Sequence, residues 1–287
     1  MTDLLQLTIY GIVLGSIFAL GAVGLSLVYA ILRFPHFAHG DFMTLGAYIS
    51  LAIVTTFGVP PIIALPFGAA GAVLFAIAVD QTIYRRLRKT QPVILLISSV
   101  GTALILRALL QMIFGSETQV YQSGIQMPVR FGDLRVKPAH FMIVGVAAFL
   151  VLALHLFLQK TRVGKAMRAM SDNRDLAQVT GISVDRIVIW TWAIGIALAA
   201  TAGVLLGMDT RLHPTMGWNI LLPVFAAAIL GGIGSPYGAI AGGLVIGIVQ
   251  EWSTMVISPA YKPAVAFAIM VVMLLVRPTG LFAGRKV

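Results

Sequence analysis

The sequence predicts an all-α polytopic membrane protein, and three observations support that prediction. Its 287 residues are 59% hydrophobic and only 10% charged, whereas charged residues make up about a quarter of an average soluble domain. The mean hydropathy is +0.96. Apolar runs of about 20 residues, the length needed to cross a bilayer, recur along the chain. A soluble fold of this size has too little interior for so much apolar surface, so we expect lipid to cover the exterior.

The apolar runs predict about eight or nine transmembrane helices, some of them broken or re-entrant. The first run follows Asp3 rather than a basic segment, so we expect a retained span and not a cleaved signal. No linker interrupts the pattern, and residues 1–287 are therefore predicted to form a single transmembrane domain. The candidate spans are 5–32, 41–57, 62–83, 92–114, 140–159, 187–208, 218–231, 238–257 and 263–276.

The basic residues predict the orientation of these spans. If nine spans alternate, fourteen of the 20 Lys and Arg residues fall on one side, five on the other, and Arg107 within a span. Because cytoplasmic loops are enriched in Lys and Arg, we expect 85–89, 160–186 and the C-terminus in the cytoplasm and the N-terminus outside. The net charge of +10 therefore reflects topology, and no nucleic-acid partner is expected.

Polar residues interrupt the first apolar run in the stretch "RFPHFAHGDF", residues 33–42. Pro35 lacks an N–H group and disfavours a helical Phe34, so the first helix should end near this point. Asp41 suits the first turn of a new helix. Irregular backbone at membrane depth is tolerated only against protein or a water-filled cavity. The stretch is therefore either a cytoplasmic turn after a tilted helix or part of a solute pathway.

A second break contains the glycine-rich stretch "GGIGSPYGAIAGG", residues 231–243. Its spacing matches neither a dinucleotide fingerprint nor a P-loop. Small residues four apart favour close helix packing over contact with a solute. The stretches that begin at Ala30 and Ala228 share Ala-Ile-Leu and a final Gly, which raises the hypothesis of an internal repeat. The small-residue pairs are Gly11 with Gly15, Gly238 with Gly242, and Gly243 with Gly247.

The long polar connection 160–186 predicts two short helices on the cytoplasmic face. Apolar residues repeat at helical spacing around Met167. Ser171 or Asp172 is expected to cap the second helix, Gly181 to follow its end, and Ser183 to cap the next span. The connection either rests on lipid headgroups or docks a soluble partner. Acidic residues among the basic ones argue against simple binding to anionic lipid: Asp172, Asp175 and Asp185.

Few ionisable groups fall within the spans. We expect Asp80 to lie at the interface near Arg85 and Arg86, and Arg107 to extend outward to the membrane surface. Glu251 is the third such group.

Catalytic and metal-binding constellations are not evident in the sequence. There is no cysteine, which excludes disulfides and thiol chemistry. His36 and His39 have Asp41 as the nearby carboxylate, too small a set to predict a metal site. No Ser-His-Asp arrangement and no pair of carboxylates can be placed, so we expect the chain not to be an enzyme.

Three stretches resemble one family. "HFAHGDFMTLGAYIS", "TRVGKAMRAMSDNRDLAQVTGISVDRI" followed by "ALAATAGVLLG", and "ILGGIGSPYGAIAGGLVIGIVQ" are together similar to the permease subunits of branched-chain amino-acid ABC importers. The resemblance runs in order over essentially the whole chain. His36 stands where the family usually has Asn. Urea and short-chain amide permeases share the pattern, so those solutes are the alternative substrate class.

The resemblance implies an ATP-driven importer in a bacterial-type inner membrane. This chain would pair with a second related permease, most simply as a heterodimer, and two separate ABC ATPase subunits would bind beneath it. An external solute-binding protein would deliver the substrate. The chain needs no cofactor because ATP is used by the partner subunits. A secondary transporter driven by an ion gradient, and a channel or scaffold, are the competing classes.

The resemblance also assigns residues to two roles. A zwitterion needs a partner for its carboxylate, another for its ammonium group and an apolar wall, and a helix N-terminus at Gly40–Asp41 could supply amide protons. The candidate substrate-pathway residues are Phe37, Ala38, His39, Gly40, Asp41, Gly231, Gly232, Gly234 and Ser235. The candidate ATPase-coupling residues are Gly164, Lys165, Arg168, Asp172, Asp175 and Gly181.

Overall fold

The computed structural model describes residues 2–88, 90–121, 128–131 and 134–282. Lys89, Arg285 and Lys286, which contribute to the topology prediction, lie outside the described residues. The helices are α1 (Thr2–Leu32), α2 (His39–Phe57), α3 (Pro61–Val79), α4 (Arg85–Leu87), α5 (Pro92–Phe114), α6 (Pro138–Lys160), α7 (Arg162–Asp172), α8 (Arg174–Val179), α9 (Val184–Asp209), α10 (Met216–Gly231), α11 (Pro236–Ser253) and α12 (Lys262–Val276).

Short elements connect these helices. A π-helical segment, Asp80–Tyr84, joins α3 to α4, so the third span continues without a break into its basic end. A 3-10 turn, Pro259–Tyr261, precedes α12. Strands β1 (Val129–Phe131) and β2 (Leu134–Val136) form an antiparallel hairpin before α6.

The prediction of an all-α polytopic membrane protein is confirmed. Within the described ranges, seven helical segments are long and apolar enough to cross a membrane, and α10 is a shorter apolar helix. Each predicted span corresponds to a helix. The two largest boundary errors are equal: the third span stays helical to Leu87 rather than ending at 83, and α11 ends at Ser253 rather than at 257 because turns follow it.

Helix α1 forms the centre of the bundle and packs most extensively against α11 and α9. Glycines allow this close approach, since a Cβ on Gly15 would lie 2.9 Å from the Cα of Leu244. A Cβ on Gly247 would collide with the backbone of Gly15, and one on Gly243 with Ala19. In lipid, such van der Waals packing largely replaces the hydrophobic effect as the force between helices. The small-residue pairs therefore serve helix packing, as predicted.

The outer helices expose apolar side chains. Leu104 and Ile105 on α5, Phe149 and Leu152 on α6, and Leu275 on α12 are exposed. An apolar exterior of this kind fits lipid or another membrane subunit.

Polar contacts tie the loops together at each end of the bundle. At one end, the Nη2 atom of Arg33 donates to the carbonyl of Ser171 at 2.8 Å, and the N–H of Leu281 donates to the carbonyl of Leu230 at 2.9 Å. At the other end, the side chain of Gln6 bonds the backbone of Arg135 at 2.8 Å. The loops that the charge pattern assigns to the cytoplasmic side therefore contact one another at one end of the bundle, and those assigned to the outside contact one another at the other end.

Candidate functional site

The first helix break returns into the bundle. Helix α1 ends at Leu32, and Arg33 then adopts φ +58°, a left-handed conformation that turns the chain sharply. The Nε2 atom of His39, the first residue of α2, lies 2.9 Å from the carbonyl oxygen of Gly21. Gly21 precedes the end of α1 by eleven residues, or about 16 Å of helix. Helix α2 therefore begins well inside the membrane-spanning bundle, and residues 33–38 run back along α1.

An aromatic cluster surrounds the break residue His36. The His36 ring is fully buried, and its Nε2 atom lies 3.2 Å from the hydroxyl of Tyr84. The Trp192 ring packs edge-on at 4.9 Å between centroids. The N–H of Phe37 donates to the hydroxyl of Ser99 on α5 at 3.1 Å. The break thus lies against protein at depth, and no group of three metal-ligating residues occurs in the described part of the chain.

Asp41 and Arg107 form an ion pair within the bundle. The Asp41 side chain is completely buried, and its Oδ1 atom lies 3.1 Å from Nη2 and 3.2 Å from Nε of Arg107. The Arg107 guanidinium also lies over the ring of Trp218, 4.8 Å from its centroid. The prediction that Arg107 extends outward is wrong, because a carboxylate and an aromatic face hold its charge at depth.

The N-termini of α2 and α10 meet beside this pair. A Cβ on Gly40 would collide with the carbonyl of Gly217, and a Cβ on Gly217 with the carbonyl of Gly40. The N–H of Gly217 donates to the hydroxyl of Thr44 at 3.0 Å. Glycine is therefore required at both positions, and the contact places Trp218 next to Arg107.

In the second break, residues 232–235, the residues shape the turn and hold its backbone in place. Gly232 and Gly234 adopt φ +104° and +89°. The N–H of Gly234 donates to the hydroxyl of Ser26 at 3.0 Å, and Ser235 caps α11 by accepting from Gly238 at 3.2 Å. Gly231 packs directly against Gly238. These contacts support the packing interpretation, and a role in the substrate pathway stays a prediction.

A cavity of about 730 Å³ opens at the end opposite α7. The Nε2 atom of His140 lies 3.0 Å from Asp209 Oδ1, and Lys262 Nζ lies 2.6 Å from Glu251 Oε1. Burial lowers the pKa of His213, which also lines the cavity. Of the residues that the structure describes along this cavity wall, none belongs to the predicted substrate pathway. Sequence inspection missed it because its residues come from separate helices without a shared spacing.

Helices α7 and α8 project from the opposite end. Gly164 packs against the backbone at the end of α6, and Met167 and Met170 are buried. Asn173 caps α8 by accepting from Leu176 at 3.0 Å. The prediction of Ser171 or Asp172 as this cap is wrong because α7 continues through both residues.

The predicted positions of Gly181 and Ser183 in this loop are confirmed. Gly181 follows α8 with φ +88°, and Ser183 caps α9 by accepting from Arg186 at 3.3 Å. Exposed candidates for ATPase coupling are Lys165, Arg168, Asp172, Asp175 and Gly181, whereas Gly164 is buried.

Two apolar residues of α8 were missed as coupling candidates. Leu176 is 63% exposed and Val179 is 84% exposed. They lie three residues apart, so they share one helix face. The signal was present in "RDLAQV", but the sequence alone did not show which apolar residues the bundle leaves uncovered.

A charged network joins this loop to α4. Asp185, at the start of α9, lies 3.2 Å from both Arg85 and Arg88. Arg88 also pairs with the buried Asp80. Asp80 lies near Arg85 as expected, because the N–H of Arg85 donates to the carbonyl of Asp80. Its carboxylate pairs with Arg88.

Comparison with known proteins identifies the family. A family model described as the permease component of the branched-chain amino acid transport system matches residues 7–274. The branched-chain amino acid permease protein LivH of Escherichia coli (strain K12) is 34% identical, and the match covers 99% of this chain and 96% of LivH. The corresponding protein BraD of Pseudomonas aeruginosa is 32% identical, with coverages of 99% and 97%.

A solved structure supports the fold. PsaBC from Streptococcus pneumoniae in complex with Fab is similar with a TM-score of 0.53, covering 97% of this chain and 93% of that chain, at 18% identity. At that identity the likeness concerns the fold alone. The match of both the family model and the relatives over nearly the full length shows that this chain belongs to the family of branched-chain amino acid transport permeases.

Proposed function

We propose that this chain is the translocation subunit of an ATP-driven importer for branched-chain amino acids. The single observation that supports this most strongly is the 34% identity to LivH over 99% of the chain. As a permease component, the chain moves a solute rather than transforming it. The ATP-hydrolysing subunits are separate chains, in keeping with the lack of a P-loop pattern in the sequence.

The α7–α8 projection is the proposed contact for an ABC ATPase. Leu176 and Val179 expose an apolar face at the aqueous end of the bundle. Lys165, Arg168 and Asp175 surround that face with exposed charge. An exposed apolar centre with a polar rim is the composition of a protein interface. Two such ATPases would serve a pair of permeases.

The charged network gives a route for the motion. When ATP closes the ATPases, the projection would move with them, and Asp185 directly continues it into α9. Asp185 also contacts Arg85 and Arg88, so α4 would follow. Helix α9 packs on α1, α2 and α3. Movement of the projection therefore shifts the balance between inward- and outward-facing arrangements of the core.

We further propose that a second permease packs beside this chain in a bacterial-type inner membrane and that an external solute-binding protein delivers the substrate. The apolar exterior of α5 offers a surface for the permease. The excess of Lys and Arg at the α7–α8 end supports a cytoplasmic location for that end and for the C-terminus.

Urea or a short-chain amide is the alternative substrate. The departure that raised it, His36, lies buried between Tyr84 and Trp192. Its change from Asn therefore alters packing at the break and gives no specific support to a smaller solute.

Uptake by a reconstituted complex tests the proposal. The chain, its companion permease, the ATPases and the binding protein would be placed in proteoliposomes with radiolabelled leucine outside. We expect uptake that requires ATP at the ATPase face and is unchanged by an uncoupler. An ATPase with its catalytic glutamate replaced is the matched control. Uptake that persists without ATP and collapses with the proton gradient would support a secondary transporter instead.

A further inference from the structure

Arg107 lies too deep in the membrane to face lipid. It stands fifteen residues after the start of α5 at Pro92 and seven before its end at Phe114, or about 22 and 10 Å of helix. Its side chain is nevertheless 18% exposed. Ionisable groups at such depth face protein or water, because lipid cannot solvate them. The surface around Arg107 therefore borders a partner subunit or an aqueous path.

An apolar strip runs from Arg107 along α10. Trp218 is 41% exposed and Leu222 is 37% exposed. With Phe225 they occupy positions i, i+4 and i+7 and therefore share one face of α10. The Phe225 ring packs against Phe37 of the first break at 5.3 Å between centroids. We name this surface, formed by Trp218, Leu222, Phe225 and Phe37, the α10 strip. A buried ion pair stands at one end of it.

A zwitterion with an aliphatic side chain complements this arrangement. We propose that Asp41, Arg107 and the α10 strip form a recognition site for the free amino acid, facing a solute path between this chain and its companion permease. The substrate carboxylate bonds Arg107, the ammonium group bonds Asp41, and the aliphatic side chain lies on the strip. This inference rests on the proposed function and specifies its substrate site.

The ion pair also explains how an empty site remains stable. Without substrate, Asp41 and Arg107 satisfy each other at 3.1 Å, so neither charge is left unpaired in the membrane. Substrate binding replaces this one ion pair by two: Arg107 pairs with the substrate carboxylate, and Asp41 pairs with its ammonium group. The Trp218 ring, 4.8 Å from the guanidinium, keeps a contact with the cation while it turns toward the path.

Neutralising both partners separates recognition from folding. In the complete complex, Asp41→Asn with Arg107→Gln leaves no buried charge unpaired, so assembly should be retained. We expect leucine uptake to fall by about 10- to 100-fold, since charge-assisted bonds to substrate are lost. The companion permease and the ATPases should co-purify with the double variant as they do with the wild type, because the docking surfaces are unchanged. Uptake by the double variant within about twofold of the wild type would overturn the proposal.

Thiol labelling provides a second test that does not require the double variant to assemble. The chain has no cysteine, so Leu222→Cys introduces a single thiol on the strip. Phe149→Cys on α6 is the matched control, since Phe149 is exposed near the centre of its helix. In the assembled complex, a membrane-impermeant thiol reagent should modify Leu222→Cys at least about tenfold faster, because the thiolate forms only in water. Equal rates at both positions would overturn the proposal.

These outcomes are distinct from failure of the proposed function. If the wild-type complex shows no ATP-dependent leucine uptake, the proposed function fails. If the wild type imports leucine and the double variant does so equally well, the recognition site alone is refuted.

Discussion

The two helix breaks of this permease lie at the same end of the bundle but differ in depth. The first re-enters the bundle, so that His39 meets Gly21 of α1. The second is a short turn in which Ser235 caps α11 directly. Side chains support the first break: an aromatic cluster, Ser99 and the Asp41–Arg107 pair. Glycines and the hydroxyls of Ser26 and Ser235 support the second.

The difference teaches what a polar break in a membrane helix needs. Unpaired backbone groups at depth must find partners within the protein. Where the chain turns at the end of the bundle, glycines and two serine hydroxyls are enough. Where it returns to mid-depth, charged and aromatic side chains must accompany it, and these groups can also contact a solute. The two stretches of the hypothesised repeat therefore share a helix–break–helix form but use different chemistry.

The largest effect is expected from breaking the deep ion pair on one side. Arg107→Gln leaves the fully buried Asp41 without its partner, and we expect a loss of about 3–5 kcal/mol in the free energy of unfolding. Thermal unfolding in detergent measures this loss. Adding Asp41→Asn should recover most of the stability. An Arg107→Gln variant as stable as the wild type would contradict the pairing of these two residues at the first break.

Glycine substitutions test the close helix contacts of both breaks. Gly40→Ala in the first break and Gly238→Ala beside the second each introduce a Cβ against backbone, and each should cost about 1–3 kcal/mol. Gly101→Ala on α5 is the matched control because its Cβ would meet no atom within 4 Å. The same unfolding measurement should show Gly101→Ala at wild-type stability or above it. Equal effects at all three glycines would contradict the close packing of helices at the breaks.

We expect the exposed apolar face of α8, and neither helix break, to be needed for ATPase docking. Leu176→Asp combined with Val179→Asp places charge on the apolar face of α8, and we expect ATPase co-purification and uptake to fall by about tenfold or more. Stability should change by less than about 0.5 kcal/mol because both residues are exposed. Thr180→Asp, an exposed residue at the end of α8, controls for added charge. Normal docking by the double variant would show that the ATPase binds elsewhere.

The smallest effect is expected at the serine cap of the second break. Ser235→Ala removes the acceptor for the Gly238 N–H, and we expect a loss of about 1 kcal/mol. Ser235→Asp keeps a capping oxygen and should restore most of it. If alanine and aspartate variants unfold at the wild-type temperature, the cap contributes nothing to the second break.

The sequence predicted the fold well because lipid imposes simple rules. Apolar runs gave the spans, and Pro35 located the end of the first helix within three residues. The small-residue pairs of α1 and α11 were assigned correctly to packing. Gly181 and Ser183 were placed correctly because caps depend on local chemistry alone.

Long-range pairing was beyond the sequence. Arg107 follows Asp41 by sixty-six residues, and nothing in their spacing links them. The sequence placed Asp80 near the basic cluster but did not single out Arg88, eight residues later, as the partner of its carboxylate. The outer cavity and the exposed Leu176 and Val179 depend on how helices from distant parts of the chain assemble.

The most direct measurement compares two buried or half-buried ion pairs in one assay. Initial rates of ATP-driven leucine uptake would be recorded for the reconstituted wild type, for Asp41→Asn with Arg107→Gln, and for Glu251→Gln with Lys262→Gln in the outer cavity. We expect the first double variant to lose about tenfold or more and the second to stay within about threefold, because the proposed recognition site lies at the first break. The opposite order would place the solute in the outer cavity and contradict its passage along the first break.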